Sequence, residues 1–473
     1  MTDILDHSVT SPAIGPARAN AKNRLPDQSH LDLLDLGLIA KGICSGLYVS
    51  GRRLDDILKQ SVRAELSGAR PVGVDLSVTG QVTTTCGAHS RTAMLVEGQG
   101  AILLPIGMSS PFFTPSSPRE TSQILEPLEP KVSESFQAAA DRAFATEPDT
   151  MTAAVAILHR GKLVAERYSA GANDAMPLEA WSMGKSLMAL LLACAIEDGL
   201  ITLNEPLALR EWSEPSDPRR NIRVEDALRM SSGIAFSASW AADYDAERDG
   251  YPDHGLVYSG AIDSRALVAS RGLRHKPGHF GAYKNSDTLL LWAALEDRLH
   301  AVGLDPLTWP YERLLGPLGA PSALLETDPY GHALITGYVY GNARDWARLA
   351  QIFIDQELAE TIGADWACLQ ACLQPTSAWK GQYWMSEAPA DFADSIYGGQ
   401  VWLNRHAPAD RWPAPDDTAF FLGVGGQYAF MVPSLDLVVV RMGHIRGSLD
   451  TGAGRGHVPA LLEAACDAAL VVQ

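Results

Sequence analysis

The sequence predicts an α+β protein, and three observations carry that expectation. Two β-hairpin patterns, at residues 153–168 and 418–442, sit far apart in the chain. Between them lie apolar runs of helical character, the longest at residues 187–196. Ahead of both, residues 31–107 pass from helical periodicity to short β-branched runs, which reads as a small N-terminal α/β unit. Strands grouped apart from helices, rather than alternating with them, are the pattern of the α+β class.

At 473 residues the chain is long enough for two or three domains and can bury a sizeable core. Its 46% hydrophobic and 20% charged residues are ordinary for a globular enzyme, and 41 Gly with 29 Pro suggest many loops rather than disorder. A formal net charge of -18 argues against a nucleic-acid partner, which would favour a basic surface. Residues 1–30 contain no apolar core of the length a secretory signal needs, and the run at 187–196 is too short to span a bilayer. A soluble, cytoplasmic protein without a membrane partner is therefore expected, with a homodimer left open. The six cysteines are scattered and read as buried, reduced thiols. Cys368 and Cys372, four apart on a predicted helix, carry no zinc-site spacing.

Taken in order, residues 1–30, with Pro12, Pro16 and Pro26, read as a flexible tail. Residues 31–107 form the small unit, with a helix predicted over 52–66 and strands over 72–78, 91–96 and 101–104. Residues 108–130, punctuated by five prolines, read as a linker or a segment wrapping over the surface. The main domain then runs over 131–473. It opens with an amphipathic helix at 131–145, followed by the hairpin at 153–168 and the helix beginning near residue 182. A short helix at 223–230 stops at Ser231-Ser232-Gly233. Residues 237–262, with Trp240, Tyr244, Tyr251 and Tyr258, form an aromatic and acidic loop suited to one wall of a cleft, and Tyr244 is its expected substrate contact. A helix over 288–295 follows Tyr283 and Asn285. Another over 343–353 starts where Asn342 and Asp345 form a capping box.

The chemistry concentrates at Ser182 and Lys185. Three residues apart at the start of an apolar helix, the two side chains share one face of its first turn. A serine hydroxyl needs a base to become a nucleophile, and a lysine can be that base only when burial or the helix dipole keeps it neutral. Ser377 and Lys380 repeat the spacing but lead into no apolar helix. Tyr283 and Asn285 sit two apart in a turn, able to point the same way. His275 and His279 are separated by Pro277-Gly278, which forbids the helix a zinc pair would use, so no metal is expected. Gly423-Val424-Gly425-Gly426-Gln427 enters the last hairpin, where glycines let a backbone N–H approach a carbonyl oxygen. No GxSxG elbow occurs, which disfavours a histidine-dependent serine hydrolase.

Ser182-x-x-Lys185, then Tyr283-x-Asn285, then a glycine-rich strand near the C-terminus resembles the penicillin-recognising serine hydrolases of the class C β-lactamase type. The nearest likeness is to 6-aminohexanoate-dimer hydrolases and carboxylesterases. The resemblance spans about residues 131–473 and implies an antiparallel sheet flanked by helices, with a helical subdomain at about 200–345. It implies Ser182 as nucleophile, Lys185 as its base and Tyr283 as a proton relay. Asn285 would orient Lys185 or hold substrate, and Val424, Gly425 and Gln427 would supply the oxyanion and substrate-binding edge. No cofactor is needed. The expected function is cleavage of an amide or ester bond in a small molecule or short peptide. A β-lactamase or DD-peptidase-like enzyme, or a catalytically silent binding protein, is the alternative. Where the family places a Lys or His at the start of its third motif, this chain has only Phe421, Leu422, Gly423 or Val424.

Overall fold

A computed structural model describes residues 27–119, 123–144, 151–240, 244–378, 396–404, 412–446 and 457–472. Most of the expected tail and the decoy Lys380 lie outside the described residues.

The N-terminal unit begins with one long helix, α1 (Gln28–Tyr48), which packs across a four-stranded antiparallel sheet, β1 (Gly73–Asp75), β2 (Gln81–Cys86), β3 (His89–Val96) and β4 (Gly100–Leu103). Leu36, Ile43, Ile57, Val82, Ala93 and Leu103 form its core. Two expectations need correction here. The helix predicted over 52–66 covers only Leu54–Gln60, since Glu65–Leu66 pairs as a strand with Arg70–Pro71. The edge at 72–78 contracts to Gly73–Asp75, and β2 fills the stretch left unassigned between it and β3. Residues 108–119 and 123–130 run along the main domain, where the Phe112 and Ile124 amides donate to the Pro329 and Pro317 carbonyls.

The main domain is built on a seven-stranded antiparallel sheet. In chain order its strands are β5 (Thr152–His159), β6 (Lys162–Tyr168), β7 (Ile396–Tyr397), β8 (Trp402–Leu403), β9 (Ala419–Gly423), β10 (Gln427–Val432) and β11 (Leu437–Gly443). They lie side by side as β7-β8-β9-β10-β11-β5-β6, so the last strand of the chain joins the first hairpin. β5 is buried on both faces. Ala154, Ala156 and Leu158 face the helical core, whereas Val155 and Ile157 face α2 (Glu134–Arg142) and the C-terminal helix Val458–Val471. Successive residues of a strand point to opposite faces, so covering both sides produces a run without polar alternation.

At the centre of the larger core lies α3 (Met183–Glu197), buried on every side from Met183 to Ala195. A helix apolar all round is stable only when surrounded. Between β6 and β7 the described residues form helices joined by loops, with one small three-stranded sheet of Leu178–Glu179, Leu324–Leu325 and Val339–Gly341. The stretch read as a loop at 237–262 in fact contains Ala246–Asp249 and α4 (Asp253–Ser259). The helix after Tyr283, α5 (Asn285–Ala301), packs beside α3. Asn342 caps α6 (Ala343–Gln351) by accepting the Asp345 amide at 2.8 Å.

Candidate active site

The N-termini of α3 and α5 meet over one small cluster. Ser182 is the cap residue of α3, and Lys185 rises from its first turn to donate to Ser182 Oγ at 3.0 Å. Two glycines permit this approach. A Cβ on Gly184 would lie 2.1 Å from the Ile335 carbonyl oxygen, and one on Gly423 would lie 2.1 Å from that of Ala180. The first contact brings the 335–336 backbone against α3, so that Lys185 Nζ also donates to the Thr336 carbonyl at 3.3 Å. The second sets the end of β9 beside the residues leading into Ser182. Trp181, between them, has a φ of 49°, a left-handed conformation costing a non-glycine residue about 1–3 kcal/mol and typical of functional turns.

Lys185 is 1% exposed, and burial pulls its pKa down from 10.5 to about 7, so much of it is uncharged at neutrality. Its nitrogen lies 4.9 Å from the centroid of the Tyr283 ring. Burial pushes the Tyr283 phenol up, and a hydrogen-bonding interaction with Ser182 partly offsets this. Tyr397 and Trp402, from β7 and β8, hold that ring edge-on and tilted, at 5.7 and 5.1 Å between centroids. Ser182, Lys185 and Tyr283 are thus gathered at one point.

The other expected site residues divide. Asn285 does not reach Lys185; it donates to the Tyr258 hydroxyl at 2.9 Å, and its Oδ1 is buried without a partner among the described residues. Val424, 47% exposed, and Gly425 belong to the tight turn between β9 and β10, with Gly425 at a φ of 92°. Arg441 pins this turn by donating to the Gly425 and Gly426 carbonyls, both at 2.9 Å. Gln427 requires correction as a substrate-binding side chain. It is 1% exposed and bonds to both the carbonyl and the amide of Gly443, at 2.6 and 2.7 Å, which secures β11 beside the turn. Tyr244 donates to the Gly250 carbonyl at 2.9 Å, a local bond within its own segment.

Tyr258 is the aromatic of that segment that enters the cluster, and sequence reasoning passed it over. Its hydroxyl donates toward the Thr336 carbonyl, 2.9 Å away, the same oxygen that meets Lys185. Burial raises its pKa to about 12, so it stays a neutral donor. No signal in the sequence singles it out: a Cβ on Gly337 would lie 2.6 Å from the Tyr258 ring, an approach that only the fold reveals. His254 also belongs to this wall, its ring tilted against that of Trp240 with centroids 4.1 Å apart. Burial pulls its pKa down to about 4 against the opposing pull of Asp253, so it carries no charge at neutrality.

The sequence model of the beta-lactamase family matches residues 140–462. Among solved structures, the fold is similar to a protein described as a 6-aminohexanoate-dimer hydrolase from Bacillus anthracis. That match has a TM-score of 0.52 and 15% identity, covering 72% of this chain and 89% of that one. It is similar also to SurE, with a TM-score of 0.51 and 17% identity over 70% of this chain and 76% of the other. At such identities the likeness is one of fold. No curated protein sequence matches the chain.

Proposed function

This chain belongs to the beta-lactamase family, and from that premise we propose that it is a serine hydrolase acting on an amide or ester bond of a small molecule or short peptide through an acyl-enzyme on Ser182. The observation that carries this reading is the 3.0 Å contact between Ser182 Oγ and a buried lysine with no carboxylate paired to it among the described residues.

In this mechanism Ser182 Oγ attacks the substrate carbonyl carbon as its proton passes to neutral Lys185 Nζ. The Thr336 carbonyl, bonded to the same nitrogen, holds it in line. The developing oxyanion meets the backbone N–H of Ser182 and that of Val424, at the α3 N-terminus and in the pinned turn. Lys185, with Tyr283 beside it, returns the proton to the leaving nitrogen or oxygen. The same pair then deprotonates the water that releases the acyl group. Tyr258 and Asn285 orient the Thr336 carbonyl rather than touching substrate.

Hydrolysis of β-lactams is the weaker reading for this site. None of the strand-end positions where a cation would meet the drug's carboxylate carries a charge: Phe421 is fully buried, Leu422 and Val424 are apolar, and Gly423 has no side chain. A lost charge-assisted bond there is worth about 1.5–3 kcal/mol. The test is intact-mass analysis after a fluorophosphonate probe, with p-nitrophenyl ester and nitrocefin turnover measured side by side. A single adduct mapping to Ser182, and ester turnover that exceeds nitrocefin turnover and vanishes in Ser182→Ala, are expected. An adduct on Ser377, or activity retained in Ser182→Ala, would overturn the assignment.

A further inference from the structure

The N-terminal unit lies outside the residues that match the family model, yet it takes hold of the wall that carries Tyr258. Three contacts meet at the C-terminal end of α4. Arg91, on β3, is 2% exposed and donates to the Ser259 carbonyl and to the Leu33 carbonyl of α1, both at 3.2 Å. Gly37, also on α1, comes so close that a Cβ there would lie 2.7 Å from the same Ser259 oxygen. Ala261, just beyond the end of α4, belongs to the unit's own core with Leu36, Ile39 and Leu103. Its φ of 55° is a left-handed conformation that a non-glycine residue keeps only where its surroundings impose it.

Among the described residues Arg91 donates only to backbone carbonyls, the third being that of Leu104 at 3.5 Å, and no carboxylate balances it. Burial pulls its pKa down to about 10, so it is charged at neutrality. A carbonyl in the last turn of a helix has no partner within that helix, so an outside donor can fix where the helix ends. A buried guanidinium does this with a charge-assisted bond, the stronger class. Ser259 is the neighbour of Tyr258, whose hydroxyl donates to the Thr336 carbonyl at 2.9 Å, the oxygen that also accepts from Lys185. The unit holds the far side of that bond as well. The Ala101 amide donates to Glu326 Oε1 at 2.8 Å, and Glu326 brackets Thr336 through backbone bonds to Leu334 and Tyr338, at 2.9 and 3.0 Å.

We propose that the N-terminal unit is part of the catalytic apparatus, with Arg91 and Gly37 as positioning residues that fix the end of α4 and so the reach of Tyr258 to the Thr336 carbonyl. The unit acts on Lys185 through Tyr258 and Thr336, and so governs how that amine is aimed at Ser182. A shift of α4 by about 1 Å would take the 2.9 Å contact beyond hydrogen-bond range, so a small change at the unit is felt at the base. This role rests on the hydrolase reading above.

The test is a mutant cycle on p-nitrophenyl ester hydrolysis by the full chain. Arg91→Met removes the charge at similar length, and Gly37→Ala keeps every hydrogen-bonding group but pushes on the Ser259 carbonyl. Each should lower kcat about three- to tenfold with KM little changed, and Arg91→Lys should recover part of the loss. Added to Tyr258→Phe, which has already given up the bond, either substitution should cost less than about twofold more. A merely structural role would multiply with Tyr258→Phe instead of vanishing into it, and Gly37→Ala carries the test alone if Arg91→Met does not fold. Hydrogen exchange of the α4 amides, which should quicken in both variants, needs no turnover. Folded variants with kcat and α4 exchange unchanged, or losses that multiply with that of Tyr258→Phe, would overturn the positioning role while leaving the hydrolase intact. A native protein that turns over no ester and takes no fluorophosphonate at Ser182 would remove the hydrolase reading, and α4 exchange that still quickens would keep the unit's hold on Tyr258 without it.

Discussion

Lys41 and Lys185 are both 1% exposed, yet they do opposite things. Lys41, on α1, reaches into the main domain and meets the Glu326 carboxylate at 2.6 Å and the Ala101 carbonyl at 2.5 Å, with its charge over the Tyr338 ring. Ser45 Oγ and the Ala101 amide complete the carboxylate's shell, both at 2.8 Å. Lys185 has a hydroxyl and a carbonyl but, among the described residues, no carboxylate. A buried ammonium with a carboxylate beside it fastens two parts of the chain together. One without a carboxylate gives up its proton and becomes a base. The use of a buried lysine is therefore decided by its partner, not by its burial.

The sharpest way to break that contrast is to remove each lysine. Lys185→Ala should lower ester kcat/KM by about 10³-fold or more, and adding Tyr283→Phe should cost little further if the two transfer one proton as a unit. Independent, multiplying losses would separate them. Lys41→Met should instead act on stability. It leaves Glu326 buried and unpaired, at about 3–5 kcal/mol, which denaturant unfolding would read, and Glu326→Leu added to it should restore much of the loss. Lys185→Met, which strands no carboxylate, should not destabilise. Because the folded pKa of Lys185 lies near 7 and the unfolded value near 10.5, the unfolded chain binds the extra proton between those limits. The native protein should therefore gain stability relative to Lys185→Met as pH rises from 7 to 10.5.

A smaller effect is expected one bond further out. Tyr258→Phe removes a donor to the Thr336 carbonyl and should lower kcat about tenfold with little change in KM, the sign of a positioning residue. Tyr244→Phe, whose hydroxyl serves Gly250, should change turnover less than twofold on esters and amides alike. A selective loss on amides would restore Tyr244 to the leaving group.

Local features read well from the sequence. The hairpin at 153–168 is β5 and β6, and the last hairpin resolves into β9, β10 and β11. The run at 187–196 is the interior of the central helix, and Ser182 and Lys185 stand at its first turn as their spacing required. These depend on period and on neighbours a few residues away. What escaped depends on distant backbone approaches. Thr336 comes to Ser182 across 154 positions, through a glycine on α3. Tyr258 and Tyr244 are indistinguishable as loop aromatics until α4 and the 335–337 segment meet. Gln427 reads in the sequence as part of the binding edge, and its place beside β11 is created by strand pairing alone.

The most direct test is the pH dependence of Ser182 labelling by a fluorophosphonate, followed by mass spectrometry on the native enzyme. With Lys185 as a neutral base, the labelling rate should rise with pH and level off above an apparent pKa of about 7. In Lys185→Ala that inflection should disappear and the rate should fall sharply. A native rate still climbing at pH 10, or an unchanged profile in Lys185→Ala, would show that Lys185 is not the base.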